Sequence, residues 1–495
     1  MRRAKERQMK IGQVPIGKIQ FDLRSRDEIP KILIGLQQLY CNEEIREKVF
    51  QELMKVVPED IDPNNGRPGM DLWRILVLGT VRLSCNWDYD KLTDIANNHK
   101  TLRLMIGHSD FGDRSRYALQ TLKDNVSLFT PEALDRINRI VVEHGHELIG
   151  KKAEVGLKAS CDSFVVETDV HYPTDINLLF DAVRKMIAVI MTLCGQVGLG
   201  GWRQGSHHIR KVKRLFRKAQ KLKRSTAKDS DKKAKRDQLV IKAHVAYLEL
   251  AQSLVERARE SIEGISIRES GIEAKVEAIQ EYIAHAERQI DQINRRVVKG
   301  ETIPHEEKVF SIFEEHTEWI SKGKAGVPQE LGVKVCIVRD QFGFMLHHRV
   351  MEQETDDEIA VGIIRETKER FAGLSSCSLD KGFHSVENQK ELSEILDKVI
   401  LPRKGKLSAI TAEIEQSEEF KRARQKHSAV ESSVNALENH GLDRCLDHGV
   451  HGFKRYVALA VVARNIQIIG HIHQQKELKR QQRAERRQQK RKHAA

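Results

Sequence analysis

Three acidic residues lie where alternating strands and helices would place a reactive site. Asp162 lies inside an apolar, β-prone run, and Asp380 directly follows another such run, Ser375–Leu379. Glu431 lies on a predicted helix four residues after His427, so these two side chains share one face. A carboxylate among apolar neighbours is costly unless it is paired or binds a metal. An all-oxygen set suits Mg²⁺ or Mn²⁺ rather than zinc. Two such ions about 4 Å apart can activate a water and stabilise the leaving oxygen in phosphoryl transfer.

The residues alone leave other assignments of these carboxylates open. An aspartate at the end of a strand is often a helix cap or a salt-bridge partner. Because side chains alternate along a strand, Asp162 and its neighbour Glu167 point to opposite faces. This favours Asp162 on the apolar face but does not exclude Asp169. On the predicted helix, Glu438 lies on the same face as Glu431 and is the main alternative to it.

A mixed sheet is required to position the two aspartates. The chain reads as helices, one strand, a long helical stretch, and then strands that alternate with helices. The later elements include predicted strands at Val309–Phe313 and Met345–Met351 and a predicted helix near Asp356–Phe371. Without the helical stretch, a mixed sheet with flanking helices remains, which predicts an α/β fold with an all-α N-terminal domain and an α-helical insertion. The predicted segments are a helical N-terminal region at 1–150, the first part of the α/β domain at 151–199, a basic helical insertion at 200–302, the second part of the α/β domain at 303–473, and a basic disordered tail at 474–495.

The positive charge is concentrated in two stretches. The 495 residues carry 84 Lys and Arg against 71 Asp and Glu, a net charge of +13. Arg203–Arg236 contributes +13 and Gln474–Ala495 contributes +7, which leaves −7 for the rest of the chain. A self-repelling run of this kind is either a solvated face or a site for a phosphate backbone. The first stretch supplies most of the predicted DNA-binding residues, namely Arg210, Lys211, Lys213, Arg214, Arg217 and Lys218.

Other patterns narrow the class of protein. Aromatic residues make up only 5% of the chain, which argues against a β-sandwich or a carbohydrate-binding module. Seven scattered cysteines without a C-x-x-C pair argue against a disulfide framework and against structural zinc. Glu143–Glu147, with its two histidines, fits a solvated helix end better than a metal site. Apolar residues from Ile272 to Val297 follow a heptad pattern, either for a hairpin packed on itself or for a dimer contact. Trp202 fits a packing role better than base stacking.

Several segments resemble motifs of the bacterial DDE insertion-sequence transposases of the ISNCY type. Cys161–Asp175 resembles the first-aspartate motif, and Leu379–Ser385 resembles the second-aspartate motif. Arg424–Leu437 is similar to the glutamate helix, and Phe453–Asn465 to the helix that closes the catalytic domain. Gly66–Asp71 and the helices after it are similar to the N-terminal domain of the family. The resemblance covers most of the chain outside 200–302.

The resemblance implies that Asp162, Asp380 and Glu431 form the metal-binding DDE triad of an RNase H-like catalytic domain. Mg²⁺ or Mn²⁺, as two ions, would then support hydrolysis at transposon ends and attack of the exposed 3′-hydroxyls on target DNA. The implied partners are terminal inverted repeats and target DNA, bound by a homodimer or a larger oligomer. Arg403 and Lys404 follow a predicted strand and either bind phosphate near the site or are simply exposed.

Two alternatives remain from the sequence. An RNase H-like nuclease or resolvase would cut DNA without joining it, and a DNA-binding regulator would do neither. The longest apolar run, Met186–Cys194, is about half of what a bilayer span requires, so no membrane is expected. The absence of an apolar leader after the basic N-terminus agrees with a cytoplasmic, nucleoid-associated bacterial protein.

Overall fold

A computed structural model describes residues 3–5, 11–57, 69–109, 113–152, 155–222, 229–263, 265, 270–321, 329–405 and 409–494. The α-helices within these ranges are α1 Glu28–Cys41, α2 Glu43–Met54, α3 Leu72–Ser84, α4 Tyr89–Asn98, α5 Lys100–Met105, α6 Leu119–Val126, α7 Pro131–Leu148, α8 Asp175–Val197, α9 Gly205–Lys221, α10 Ser230–Glu263, α11 Ser270–Ile293, α12 Asp356–Arg370, α13 Val386–Ile395, α14 Ala409–Gln416, α15 Glu418–Leu437 and α16 Gly449–Ala494. The strands are β1 Leu157–Thr168, β2 Glu318–Ser321, β3 Gln329–Asp340, β4 Met345–Met351, β5 Leu374–Leu379, β6 Lys398–Ile400 and β7 Arg444–Cys445.

Short polar side chains start many of these helices. The hydroxyl of Thr130 accepts a hydrogen bond from the backbone N–H of Ala133 and caps α7, with Pro131 at the first helical position. Ser385 caps α13 and Ser417 caps α15 in the same way. Each cap satisfies an N–H group that has no partner inside the helix. The starts of these helices therefore follow from local sequence.

The sheet is mixed, with β1 at its centre. β1 pairs with β3 in antiparallel fashion on one side and with β5 in parallel fashion on the other. Beyond β3 lies β4, which is antiparallel to it, and beyond β5 lies β6, which is parallel to it. β2 also pairs with β3, and the short β7 pairs with the end of β1. This arrangement confirms the predicted α/β class with a mixed sheet and flanking helices.

The chain divides into two compact units, Met1–Asp169 with Ile320–Ala495, and Val170–Trp319. In the first unit, α1, α3 and α7 pack on α16, and one hydrophobic core joins these helices to the sheet. α1 and α16 approach closely at Gly35 and Gly470. A Cβ on Gly35 would lie 2.1 Å from a backbone oxygen of α16, and one on Gly470 would lie 1.9 Å from a backbone oxygen of α1. The N-terminal helices are thus part of the same core as the sheet.

The second unit is a bundle of α8, α9, α10 and α11 with its own core. The heptad residues Val276, Ile279, Ile283 and Ala286 of α11 are at most 5% exposed, and α11 packs against α8 and α10. The heptad pattern is therefore accounted for within one chain. This unit contains the predicted insertion 200–302 and also α8, which the sequence analysis placed in the first part of the α/β domain. The packing of α8 against α11 joins residues far apart in the chain, so local composition does not indicate that α8 belongs to this unit.

Two segments differ from expectation. The predicted strand Val309–Phe313 is not a strand, because its backbone bends repeatedly. The low-complexity stretch 474–494, expected to be disordered, continues α16 as a helix. Gln, Arg, Lys and Ala all have favourable helix propensities, so a helix that is already started by packed residues can extend through them.

None of the helices in the described part of the chain has an apolar stretch long enough to cross a membrane.

Candidate functional site

The pairing of β1 with β5 brings the two aspartates side by side. Cys161 lies opposite Leu379 in the parallel register, so the following residues, Asp162 and Asp380, occupy adjacent positions. Asp162 is partly buried, and its Oδ1 accepts a hydrogen bond of 2.8 Å from the backbone N–H of Ser163. Asp380 is exposed at the carboxyl end of β5. Open α/β sheets place their ligands at this end of a strand.

The third carboxylate comes from α15. This helix packs against β1, β5 and β6, and its residues Val430, Ser433 and Leu437 are buried. Glu431 is exposed on the helix. Burial raises the pKa of Asp162 to about 6, and the negative charges of Asp380, Asp356 and Glu431 act in the same direction. The three predicted carboxylates, which are far apart in sequence, therefore share one electrostatic environment.

Asp356 is a fourth carboxylate of this environment, and sequence reasoning missed it. It is the first residue of α12, and its Oδ1 accepts a hydrogen bond of 2.7 Å from the Ser163 hydroxyl. Its other oxygen lies 3.5 Å from the Lys334 ammonium and 2.9 Å from where a Cβ on Gly382 would lie. Gly382 thus leaves room for this carboxylate beside the turn that follows Asp380. The sequence reads Thr355–Glu358 only as an acidic helix start.

The alternative carboxylates occupy different environments. Glu167 and Asp169 both pair with Arg444, at 3.1 Å and 3.6 Å. Glu438 begins a π-helical turn at the end of α15 and is not among the principal charges that act on Asp162. Charge coupling therefore favours Asp162 and Glu431 over these alternatives.

His427 lies on α15 one helical turn before Glu431 and is partly buried. Burial lowers its pKa, whereas the charges of Asp380 and Glu431 and a hydrogen bond with the Ser378 backbone raise it. Its Nδ1 is buried and has no hydrogen-bond partner among the described residues. The lowered pKa makes the neutral imidazole the main form at pH 7.

A second group could hold a metal ion. Asp135, His347 and His348 each offer a ligand atom within 4.8 Å of the others, and Asp162, Asp380 and Glu431 do not form such a group among the described residues. Two nitrogen donors suit a transition metal better than Mg²⁺. Arg370 already donates to Asp135 at 2.9 and 3.1 Å, and it also contacts His347. Its cationic side chain competes with a metal ion for Asp135 and His347.

Two other candidates from the sequence are structural. His144 and His146 of the Glu143–Glu147 segment are buried in α7, and His146 Nε2 lies 2.6 Å from Asp340 Oδ2. The two histidines therefore lie in the core, and the expectation of a solvated helix end is wrong for them. Trp202 is only 2% exposed, and its indole N–H donates to Ser261 at 2.9 Å. The packing role predicted for Trp202 is confirmed.

The predicted DNA-binding residues fall in two places. Six of them lie exposed on α9 and make no ion pair within the described ranges, namely Arg210, Lys211, Lys213, Arg214, Arg217 and Lys218. The opposite side of α9 buries Val212 and Ala219. Arg403 and Lys404 lie in the loop after β6, and their positive charges help to lower the pKa of His384, which burial lowers most. They therefore lie near the turn that carries Asp380.

Comparison of the chain with protein-family models, with curated proteins and with solved structures finds no match.

Proposed function

We propose that this protein is a DDE transposase, which cleaves DNA at transposon ends and joins the exposed ends to target DNA. One observation carries the proposal. Asp162, Asp380 and Glu431, which match the three acidic motifs of that family, reach one environment from β1, from the end of β5 and from α15. Burial raises the pKa of Asp162 most, and the negative charges of Asp380 and Glu431 raise it further.

The carboxylates fit Mg²⁺ or Mn²⁺ as the metal. All donors are oxygens, and a divalent cation would relieve the repulsion that disfavours ionised Asp162. Mg²⁺ usually keeps several waters and needs only one or two protein carboxylates directly. When bound, a pair of such ions supplies an activated water or 3′-hydroxyl and stabilises the leaving oxygen. Asp162, Asp380 and Glu431 would hold the ions. Asp356, which accepts a hydrogen bond from the Ser163 hydroxyl, would add negative charge near them.

The fold supports an RNase H-like catalytic core. β1 lies between an antiparallel and a parallel neighbour, and helices pack against the sheet. The exposed basic face of α9 supports binding to the phosphate backbone of double-stranded DNA, with affinity that falls steeply as salt rises. Cutting of both transposon ends in one complex would require at least a homodimer.

The test combines labelled DNA from the two flanks of the gene with a supercoiled target plasmid in Mg²⁺. Joined product supports the transposase, and cleavage without joining would replace it by the nuclease or resolvase alternative. DNA binding without cleavage would favour a regulator. Activity that survives Asp380→Ala or Glu431→Ala would exclude the proposed site, whereas Asp169→Ala is the matched control and should remain active.

A further inference from the structure

A cleft whose nine lining residues include four cations and one acid lies on the first unit beside the carboxylates. It has a volume of about 540 Å³. We call it the basic cleft, and the residues that define it are Lys381, Arg403, Phe420, Lys421 and Arg424. A volume of this size falls within the range of roughly 300–1,000 Å³ that is typical of sites for small ligands.

The basic cleft is continuous with the candidate catalytic site. Lys381 is the residue after Asp380, so the turn that follows β5 contributes to both. Arg424 lies two helical turns before Glu431 on α15, and its charge helps to lower the pKa of His427. A strand bound at the carboxylates would therefore pass the cleft.

The charges of the cleft call for an anion. Lys381, Lys421 and Arg424 make no ion pair in the part of the chain that the structure describes. The one acidic residue that lines the cleft, Glu415, accepts a hydrogen bond of 2.9 Å at Oε1 from the backbone N–H of Arg403. Three cations in one concave site repel each other, and a phosphate group would relieve that repulsion.

Phe420 adds a second chemistry to the cleft. It is the third residue of α15, and its ring lines the cleft while remaining partly exposed. A phosphate group does not stack on an aromatic ring, whereas an unstacked base does. A positively charged groove combined with an aromatic side chain is how proteins hold single-stranded nucleic acid.

We propose that the basic cleft holds one unpaired nucleotide of the DNA strand next to the scissile phosphodiester. Lys421 and Arg424 contact its phosphate, Phe420 stacks on its base, and Lys381 lies between this phosphate and the carboxylates. The proposal rests on the proposed function, since it assumes that the strand passes Asp380. It further implies that the duplex is opened locally at the cleavage position.

Binding measured without metal tests the cleft separately from catalysis. The full chain in EDTA is titrated into a fluorescein-labelled oligothymidine and into a labelled duplex of the same length, by anisotropy over a series of salt concentrations. Phe420→Leu should weaken oligothymidine binding about tenfold and leave duplex binding and the salt slope unchanged. Arg424→Gln should weaken oligothymidine binding by a similar factor and lower its salt slope by about 0.7.

Arg422→Gln is the matched control, because Arg422 is exposed on the same helix and does not line the cleft. The ratio of oligothymidine to duplex affinity removes the contribution of basic surfaces that hold both probes. An unchanged ratio in Phe420→Leu, with a native melting temperature, would overturn the proposal. So would an equal effect of Arg422→Gln and Arg424→Gln. If the unmodified protein binds oligothymidine as expected but does not cleave DNA in Mg²⁺, the result counts against the proposed function and not against the cleft.

Discussion

The candidate catalytic site and the basic face of α9 are built in opposite ways. The carboxylates of Asp162, Asp380 and Glu431 come from two strands and a helix that the sheet brings together. The cations of α9 are neighbours on one helix, whose apolar side packs into the second unit. A surface for a repetitive phosphate backbone can therefore arise from helical periodicity alone, whereas a site for a metal ion depends on the tertiary structure.

The two regions also differ in how far their like charges are exposed to water. On α9 the cations are exposed to water, which screens their repulsion. At the carboxylates, burial and neighbouring charges together raise the pKa of Asp162. The ionised carboxylate cluster thus lowers the free energy of unfolding of the protein, as expected of a site that is completed by a ligand.

The largest effect should come from Asp380→Asn. Loss of a metal-binding carboxylate should lower the rate of Mg²⁺-dependent cleavage by about a thousandfold or more. DNA affinity in EDTA should stay within about twofold of the original, because α9 is untouched. Single-turnover cleavage and anisotropy titrations on the same preparations measure the two quantities. A parallel loss of both would mean that catalysis and binding are not divided between the two regions.

Asp162→Asn should stabilise the metal-free protein at alkaline pH. Burial and neighbouring charges raise the pKa of Asp162 to about 6 in the folded state. Ionisation of Asp162 therefore lowers the free energy of unfolding, and this loss is complete above about pH 6. Below the pKa of the unfolded state the side chain is protonated in both states, and the loss is absent. The variant should therefore gain about 2 kcal/mol in free energy of unfolding near pH 8 and nothing near pH 3.

Urea denaturation in EDTA at both pH values measures this difference. Asp169→Asn serves as the control, since Asp169 is exposed and pairs with Arg444. If Asp162→Asn instead lowers the free energy of unfolding near pH 8, the ionised carboxylate of Asp162 is not destabilising in the folded protein. Added Mg²⁺ should stabilise the original protein more than the Asp162→Asn variant.

Neutralising α9 should weaken DNA binding and leave the chemistry intact. The triple variant Arg210→Gln, Arg214→Gln, Arg217→Gln should lose about thirtyfold in duplex affinity at moderate salt, and its salt slope should fall by about 2.7. Cleavage at saturating enzyme should remain. Arg288→Gln, an exposed change on α11, should leave the affinity unchanged. A loss that is confined to one DNA sequence would indicate base recognition instead of backbone contact.

The smallest effect is expected at Gly382. A Cβ there would lie 2.9 Å from Asp356 Oδ2, and the end of that side chain can move at little cost. Gly382→Ala should change the free energy of unfolding by less than about 1 kcal/mol but lower cleavage severalfold. Gly373→Ala, where a Cβ would meet nothing within 4 Å, should leave cleavage unaffected. Equal activity of the two variants would remove Asp356 from the site.

Much of the local structure could be predicted from the sequence. β4 spans Met345–Met351, as predicted, and α12 begins at Asp356, as predicted. Apolar runs and capping residues act over a few positions, so they indicate strands and helix starts directly. The short strand β7 was missed, because its two residues are held only by pairing with the end of β1.

The sequence by itself determined the types of chemical group and their local setting. It showed carboxylates at strand ends and on a helix face, a run of cations at helical spacing, and apolar segments that form strands. Only the tertiary structure decided which of these groups meet. The parallel register of β1 and β5 places Asp162 beside Asp380, and the turn at Gly382 admits Asp356, which no local pattern marked. It also enclosed the heptad residues of α11 within the second unit. The physical reason is that periodicity and capping act over a few residues, whereas charge coupling and packing depend on distances between residues far apart in the chain.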